Sequence, residues 1–322
     1  MIARGTTSGG LPDPMPDDPG ESSIIATLLT GRPVPDGFEA RLDAGDDVAV
    51  LPSGDAVGSD LMVEGVHWDE RLSPEDVGWK IVAVNASDLG ATGARPQWAT
   101  LSIALPRPAD MNWVKRFAAG LHACLQEHGI RLIGGDTTRS PGPRFISMTM
   151  GGPAPHPVRR DGASPGDRIW VSGTLGDAAA GFHHGGEGLA WLRRPHPPIQ
   201  LGLGLAETGL VSAMMDLSDG LARDLGRLCS ASGCAARVDA STLPASPQVR
   251  SAPDRLALQT AFGEDYQLLF TAPATADAAV RAIAASTHTQ VTAIGSCVEG
   301  VGTHLRDGPW PAPAFSHFGV DA

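Results

Sequence analysis

The chain has 322 residues, of which 42% are hydrophobic and 19% charged, and its formal net charge is −12. That length accommodates roughly two ordinary domains of about 150 residues each, and the composition is that of a globular protein. The acid excess argues against nucleic acid as the main partner, because phosphate backbones need a basic surface.

Lysine is confined to Lys80 and Lys115. There is no Gly-Lys-Ser/Thr triplet of a Walker A loop, and no protein-kinase HRD or DFG triplet. A phosphate-handling protein of this composition must work with metals, arginines and backbone amides. The first twenty residues, "MIARGTTSGGLPDPMPDDPG", lack the apolar segment of a secretory signal and are expected, within residues 1–22, to form a flexible tail. No apolar run is long enough to span a bilayer, so a cytoplasmic location with no membrane partner is expected. Cys124, Cys229, Cys234 and Cys297 form no CxxC pair and read as buried free thiols.

Taken in chain order, "DDVAVLP" and "DAVGSDLMV" are short apolar runs punctuated by Gly and Asp, hence strands. Ser73 and Pro74 form a helix start. Val77, Ile81 and Val84 follow at helical spacing until Gly90 and Gly93. "WATLSIALP" reads as a strand. Residues 110–129 read as an amphipathic helix with Met111, Val114, Phe117, Leu121 and Leu125 on one face and Gly129 at its end. "IRLIGGD" and "RFISMTMGG" are further strands.

The Gly- and Pro-rich stretch from Gly151 places a domain boundary near residue 152. The second half again alternates short strands and helices. "RIWVSGTLG", "YQLLFTA" and "QVTAIGSCV" read as strands, and helices open at "DAAAGF", "DGLARDLGRLCSASG" and "TADAAVRAIAAS". "HHGGEGLAWLRRPHPPIQ" reads as a loop with solvated arginines. The fold class is therefore α/β (α+β), two mixed domains over residues 23–152 and 153–322.

Carboxylates recur at the ends or faces of these elements. Asp46 and Asp47 are adjacent, and on an extended chain only one of them faces a given site. They also suit an exposed turn. Asp60 lies inside an apolar strand run, where a carboxylate is costly unless paired or metal-bound, and Ser59 beside it offers another oxygen. Asp88 shares a helix face with Asn85. Asp136 follows Gly134 and Gly135 and precedes Thr137, Thr138 and Arg139, a set suited either to phosphate or to a tight polar turn. Asp216 ends an apolar run, while Asp219 either joins it or caps the following helix. Mg²⁺ takes oxygen ligands and keeps waters and phosphates, so single carboxylates from several elements can share several ions.

In order and spacing, "GDDVAVL", "SDLMVEGVHW", "VNASDLGATGARPQWATLSIALP", "IGGDTTRS", "RRDGASPGDRIWVSGTLGDAAAGF", "MDLSDGLARDLG", "FGEDYQLLFT" and "FSHF" resemble the thiamine-monophosphate kinase family. That family shares a superfamily with aminoimidazole ribonucleotide synthetase, selenophosphate synthetase and a hydrogenase maturation factor. The resemblance runs from about Ser23 to Phe318. It implies transfer of the γ-phosphoryl group of ATP to thiamine monophosphate, and a homodimer whose N-terminal domains pair their sheets. By position it implies a magnesium shell of Asp47, Ser59, Asp60, Asp88, Asp136, Asp216 and Asp219. It implies ATP contacts from Gly135, Asp136, Arg160 and Ser218, and an acceptor pocket of His67, Glu264 and Phe315.

The chain departs from the family pattern at Gly58, where a Ser or Thr ligand is usual, at Phe262, where a glycine is, and at Gln267, where a glutamate is. Another ATP-dependent member of the superfamily, or a catalytically silent dimer that binds thiamine phosphates or nucleotide, are the competing readings.

Overall fold

The computed structural model describes residues 20–33, 38–306 and 308–311. Most of the expected flexible tail, and Phe315, lie outside them. The first half contains α1 (Glu21–Leu29), β1 (Ala49–Val50), β2 (Asp55–Val63), α2 (Pro74–Ala91), β3 (Trp98–Leu105), α3 (Met111–His128), β4 (Arg131–Arg139) and β5 (Phe145–Pro153). Its strands form one sheet in the order β1-β2-β5-β3-β4. The β3–β4 pair is parallel, joined through α3, and the others are antiparallel.

The second half contains β6 (Asp167–Ser172), α4 (Asp177–His184), α5 (Gly188–Arg193), α6 (Ile199–Thr208), β7 (Ala213–Asp216), α7 (Leu221–Ser232) and β8 (Ala235–Val238). These are followed by α8 (Pro247–Ser251), α9 (Arg255–Thr260), β9 (Leu268–Pro273), α10 (Asp277–Ser286), β10 (Val291–Val298) and β11 (Gly302–Leu305). Its sheet runs β11-β8-β10-β6-β9-β7. Two mixed helix–sheet halves therefore make up the fold.

The expected α2 begins with a full capping box. Ser73 Oγ accepts from Asp76 N, Asp76 returns the bond to Ser73 N, and Pro74 occupies the first turn. Gly90 does not end it. The helix runs on to Ala91, because an isolated glycine costs only about 1 kcal/mol against the packing of the rest. Nearly every residue from Asp76 to Ala91 is buried. The reason is position: α2 packs on α3, β2 and β5 of its own half and on α5, α6 and β7 of the other. A helix covered on all sides has no solvent stripe to expose, and its sequence is correspondingly apolar around its circumference.

The α3 helix is capped by Asp110, which accepts from Asn112 N and Trp113 N, and ends at left-handed Gly129. Phe117, Leu121 and Leu125 face the core, whereas Met111, in the first turn, is exposed. The stretch expected to be a loop holds α5 and the start of α6, short elements whose periodicity is obscured by five flanking glycines and prolines. Its arginines are engaged. Arg193 Nε donates to Arg71 O, and Arg194 Nε donates to Asp76 while its guanidinium stacks over Trp79. All four cysteines are buried free thiols.

The close approach of α2 and α3 depends on glycine. A Cβ on Gly120 would stand 1.8 Å from Glu75 O, and one on Gly78 would stand 2.1 Å from Phe117 O. Both obstacles are backbone, so relief requires the helices to separate. Gly120→Ala is expected to destabilise the fold by about 1–3 kcal/mol or more, read as a lower midpoint in urea at unchanged slope.

Candidate functional site

A cavity of about 1080 Å³ lies between the two halves. Asp60 of β2 and Asp88 of α2 line it with Asp46 and Asp47, and Asp216 of β7 is buried within reach of Asp47 and Asp88. In β2 successive side chains alternate, so Asp60 turns inward with Ala56 and Met62 while Ser59 and Leu61 face the other side. Asp60 N donates to Asn85 Oδ1 of α2 at 3.2 Å, which ties strand to helix beside Asp88. Asp216 ends β7, and its Oδ2 accepts from Ser87 Oγ at 2.7 Å. Carboxylate oxygens of Asp47, Asp88 and Asp216 all lie within 4.8 Å of one another, and the Asp60 and Asp88 carboxyls interact.

Four carboxylates cannot all be charged at such distances without compensation. Burial pushes Asp60 up to about 6. Burial also pushes Asp47 up to about 6, against the opposing guanidinium of Arg160. Asp88 and Asp216 lie well above the usual carboxylate range, first through burial and then through the neighbouring carboxylates. Asp47 Oδ2 is buried with no hydrogen-bond partner among the described residues. An oxygen-only donor set of converging carboxylates, one with an orphaned oxygen, fits a hard divalent cation such as Mg²⁺.

Arg160 borders the cluster, pairing with Asp47 and standing 3.5 Å from Asp46 through Nε. Its amide also donates to Asp46 Oδ2 at 3.0 Å. Asp46 and Asp47 therefore reach the same guanidinium, contrary to the expectation for an extended chain. The reason is local: residues 44–48 are a succession of bends, and strand alternation starts only at Ala49.

On the opposite wall, Asp219 does not cap α7, whose N-cap Gly220 has no side-chain bond. Asp219 instead lies 2.6 Å from Arg227 and 3.8 Å from Arg223. Buried Asp224 accepts from its amide, and desolvation raises Asp224 to about 7.

Ser218, just after β7, meets Glu264 of the loop before β9. Glu264 N donates to Ser218 O at 2.9 Å, and Tyr266 N donates to Leu217 O at 2.8 Å. Glu264 and Tyr266 both hold left-handed backbone, with φ of 64° and 47°. Such strain in non-glycine residues persists only when the surroundings over-determine it. Here the determinant is contact: a Cβ on Gly263 would lie 2.2 Å from Ser218 O. The Phe262 departure is absorbed outside the strained segment, where its ring packs 5.0 Å from that of Phe182. His67 also lines the cavity, its Nδ1 accepting from Val63 N at 2.9 Å.

The structure thus brings Asp47, Asp60, Asp88, Asp216, Asp219, Arg160, Ser218, His67 and Glu264 around one cavity. Ser59 lies at its edge, with its hydroxyl donating to Met148 O. Gly135 and Asp136 stand apart on β4, the exposed edge of the first sheet, with Asp136 opposite Ser102. Gly58 offers no side chain, and a Cβ there would meet Val48 Cγ1 at 2.9 Å. No sequence motif points to Lys80. It is fully buried and paired with Glu264. Its one trace in the sequence is a charge set between Trp79 and Ile81 in the apolar middle of a helix.

Two family models divide the chain: AIR synthase related protein, N-terminal domain, over residues 45–154, and its C-terminal domain over residues 164–308. The chain therefore carries both domains of the AIR synthase related class. Within it, the thiamine-monophosphate kinase of Salmonella typhimurium is 40% identical over 284 residues, covering 79% of this chain and 83% of that protein. The crystal structure of the thiamine-monophosphate kinase from Stenotrophomonas maltophilia K279a is 38% identical. It superposes at a TM-score of 0.74 over 89% of this chain and 95% of its own. The structure of AaThiL complexed with AMPPCP and TMP is 28% identical, with a TM-score of 0.77 over 93% and 97% of the two chains. The chain belongs to the thiamine-monophosphate kinase family.

Carboxyls whose folded pKa is raised stabilise the fold when protonated and lose that contribution as pH rises through the folded value. With chelator present, the melting temperature is expected to fall as pH rises from about 4 through the Asp47 and Asp60 values near 6. Added Mg²⁺ should raise it more at pH 7.5 than at pH 5. Differential scanning calorimetry across that range checks both signs.

Proposed function

We propose that this protein transfers the γ-phosphoryl group of ATP to the phosphate of thiamine monophosphate, forming thiamine diphosphate, with Mg²⁺ as the resident cation. The observation that carries the proposal is the convergence of Asp47, Asp60, Asp88 and Asp216 on one cavity, in a chain of this family. Asp47, Asp60, Asp88 and Asp216 would hold magnesium, with Asp219 and Ser59 at the margin. Bound there, magnesium neutralises phosphate charge and lowers the repulsion between two polyanions.

The remaining work falls to the chain's own groups. The attacking oxygen belongs to a phosphate already ionised near neutral pH, so direct in-line transfer needs no strong general base. Arg160, placed between the carboxylates and solvent, binds ATP oxygens by charge-assisted hydrogen bonds, and Ser218 adds a contact from the opposite wall. His67 and Glu264 line the acceptor side; the family resemblance assigns Phe315 to the same pocket, where an aromatic ring would suit a flat cationic heterocycle.

Gly135 and Asp136 join the nucleotide site through assembly. β4 is an edge strand exposed along nearly its whole length, and Ile133 on it and Leu61 on β2 are more than half exposed. Unpaired strand edges and exposed apolar side chains are the surfaces a second copy covers. A homodimer joined by its first sheets gives those residues their role. No helix among the described residues is long and apolar enough to cross a membrane, which accords with a cytoplasmic biosynthetic enzyme.

Chromatography of ATP and thiamine monophosphate incubated with the protein should show thiamine diphosphate with Mg²⁺ and none with excess chelator. Asp60→Asn and Asp88→Asn should each reduce turnover by about a hundred-fold or more, since even partners behind metal ligands cost 10–100-fold. Their metal-free melting temperatures should be unchanged or higher, because each replaces a buried carboxyl whose ionisation is opposed by burial and, at Asp88, by its neighbours. Near-normal activity in both variants contradicts the assignment.

A further inference from the structure

His67 and Glu264 line one cavity from different halves of the chain. His67 belongs to residues 64–73, which join β2 to α2, and Glu264 to the loop before β9. A contact outside the cavity ties these two segments together. Arg71, four residues after His67, reaches the second half twice. Its carbonyl accepts from Arg193 Nε at 2.7 Å, and its guanidinium lies over the Phe182 ring of α4, 4.2 Å from the centroid. Phe182 packs its ring 5.0 Å from that of Phe262, two residues before Glu264. The His183 imidazole closes the group, edge-on to the two rings at 4.9 and 5.4 Å.

The first half presents the cation already oriented. Arg71 N donates to Asp69 Oδ1 at 2.9 Å, Leu72 N donates to Asp69 O at 3.1 Å, and the Asp69 carboxylate pairs with the Arg71 guanidinium. Buried Trp68 anchors the same turn, its carbonyl accepting from Gly65 N at 2.8 Å. The Arg71 side chain is 30% exposed, so water screens its attraction to the ring only in part. The second half presents the ring on a firm base. Phe182 and Phe262 are partly buried and pack, with Tyr266, against the core of the first half, at a ring separation where aromatic pairs attract beyond their area of contact. Left-handed Gly263 and Glu264 follow Phe262 directly, with φ of 82° and 64°. A ring held at Phe262 therefore holds the start of the strained turn that carries Glu264.

We infer that Arg71 and Phe182 are positioning residues whose cation–π contact holds the His67 and Glu264 segments at the separation the acceptor fits. The inference rests on the thiamine monophosphate reading, which assigns both of those residues to the acceptor. Arg71, Phe182 and Phe262 do not line the cavity themselves, so they act through the segments they tie. Walls held at a fixed separation before the ligand arrives spare it the cost of ordering them. The contact bears on acceptor affinity and not on the phosphoryl step, because Asp60, Asp216 and Asp47 are held by other bonds, to Asn85, Ser87 and Arg160. Phe262 stands where the family pattern has a glycine, so the ring that backs Phe182 is a departure of this chain from that pattern.

The test is a double-mutant cycle on Arg71→Met and Phe182→Leu, which keep apolar bulk but remove the cation or the ring face. Each alone should raise KM for thiamine monophosphate by about three- to ten-fold, with kcat and KM for ATP within about two-fold of wild type. Either substitution loses the same contact, so the double variant should show an acceptor KM no higher than that of the more impaired single variant. Phe182→Tyr, which keeps the ring face, should stay within about two-fold of wild type.

An unchanged acceptor KM in Arg71→Met and Phe182→Leu overturns the inference. So do effects that multiply in the double variant, which show two independent roles. So does a parallel rise in KM for ATP and for the acceptor, which is the signature of a structural role. If the wild type forms no thiamine diphosphate, the proposed reaction has failed, and the same cycle is read by calorimetric titration with thiamine monophosphate. Losses of about three- to ten-fold that do not multiply sustain the inference; equal affinity, or no binding to any of the four proteins, overturns it.

Discussion

Carboxylates repel one another, and burial makes the repulsion stronger because little water remains to screen it. Asp47, Asp88 and Asp216 are nonetheless held with carboxylate oxygens within 4.8 Å of one another by a bend, a helix and a strand end, and Asp60 of β2 interacts with Asp88. Nothing in the packing requires acids there, and apolar side chains of similar size would fill the space at lower cost. The rest of the architecture is the apparatus that keeps this unfavourable arrangement in place. Its centre is α2, which carries Asp88 itself and ties the two halves together through bonds to Asp216, Glu264, Pro195 and Arg194.

That placement explains why the helix is apolar on every side and why its few polar residues each have an assignment. Asp76 closes the capping box and receives Arg194. Lys80 meets Glu264, Asn85 holds the strand that bears Asp60, and Ser87 bonds Asp216. The cavity thus inherits its rigidity from the same element that joins the domains.

Much of this is legible in the sequence. The alternation in β2 and the Ser73–Pro74 start of α2 follow from local physics, and the eight motifs in order carry most of the site. What is not legible depends on the third dimension. The run of bends that lets Asp46 and Asp47 share Arg160 leaves no periodic trace. Asp219 looks like a helix cap in one dimension, but Arg227 and Arg223 come round α7 to meet it. Lys80 stays hidden because a buried ion pair is defined by its partner, and its partner lies in the other half. The stretch around α5 reads as a loop because glycine and proline obscure a helix of six residues.

We propose the cluster as a cation seat whose carboxyls carry protons until the metal arrives. Its most direct test is calorimetric titration of Mg²⁺ at pH 6 in two buffers of different ionisation enthalpy, with a non-hydrolysable ATP analogue present. Metal displacing protons from carboxyls that titrate near 6 must release them to the buffer. A cation seat of this kind gives a binding heat that differs between buffers, with a proton release that is smaller at pH 8 and diminished in Asp88→Asn. Binding with no buffer dependence, or no binding at all, would contradict it.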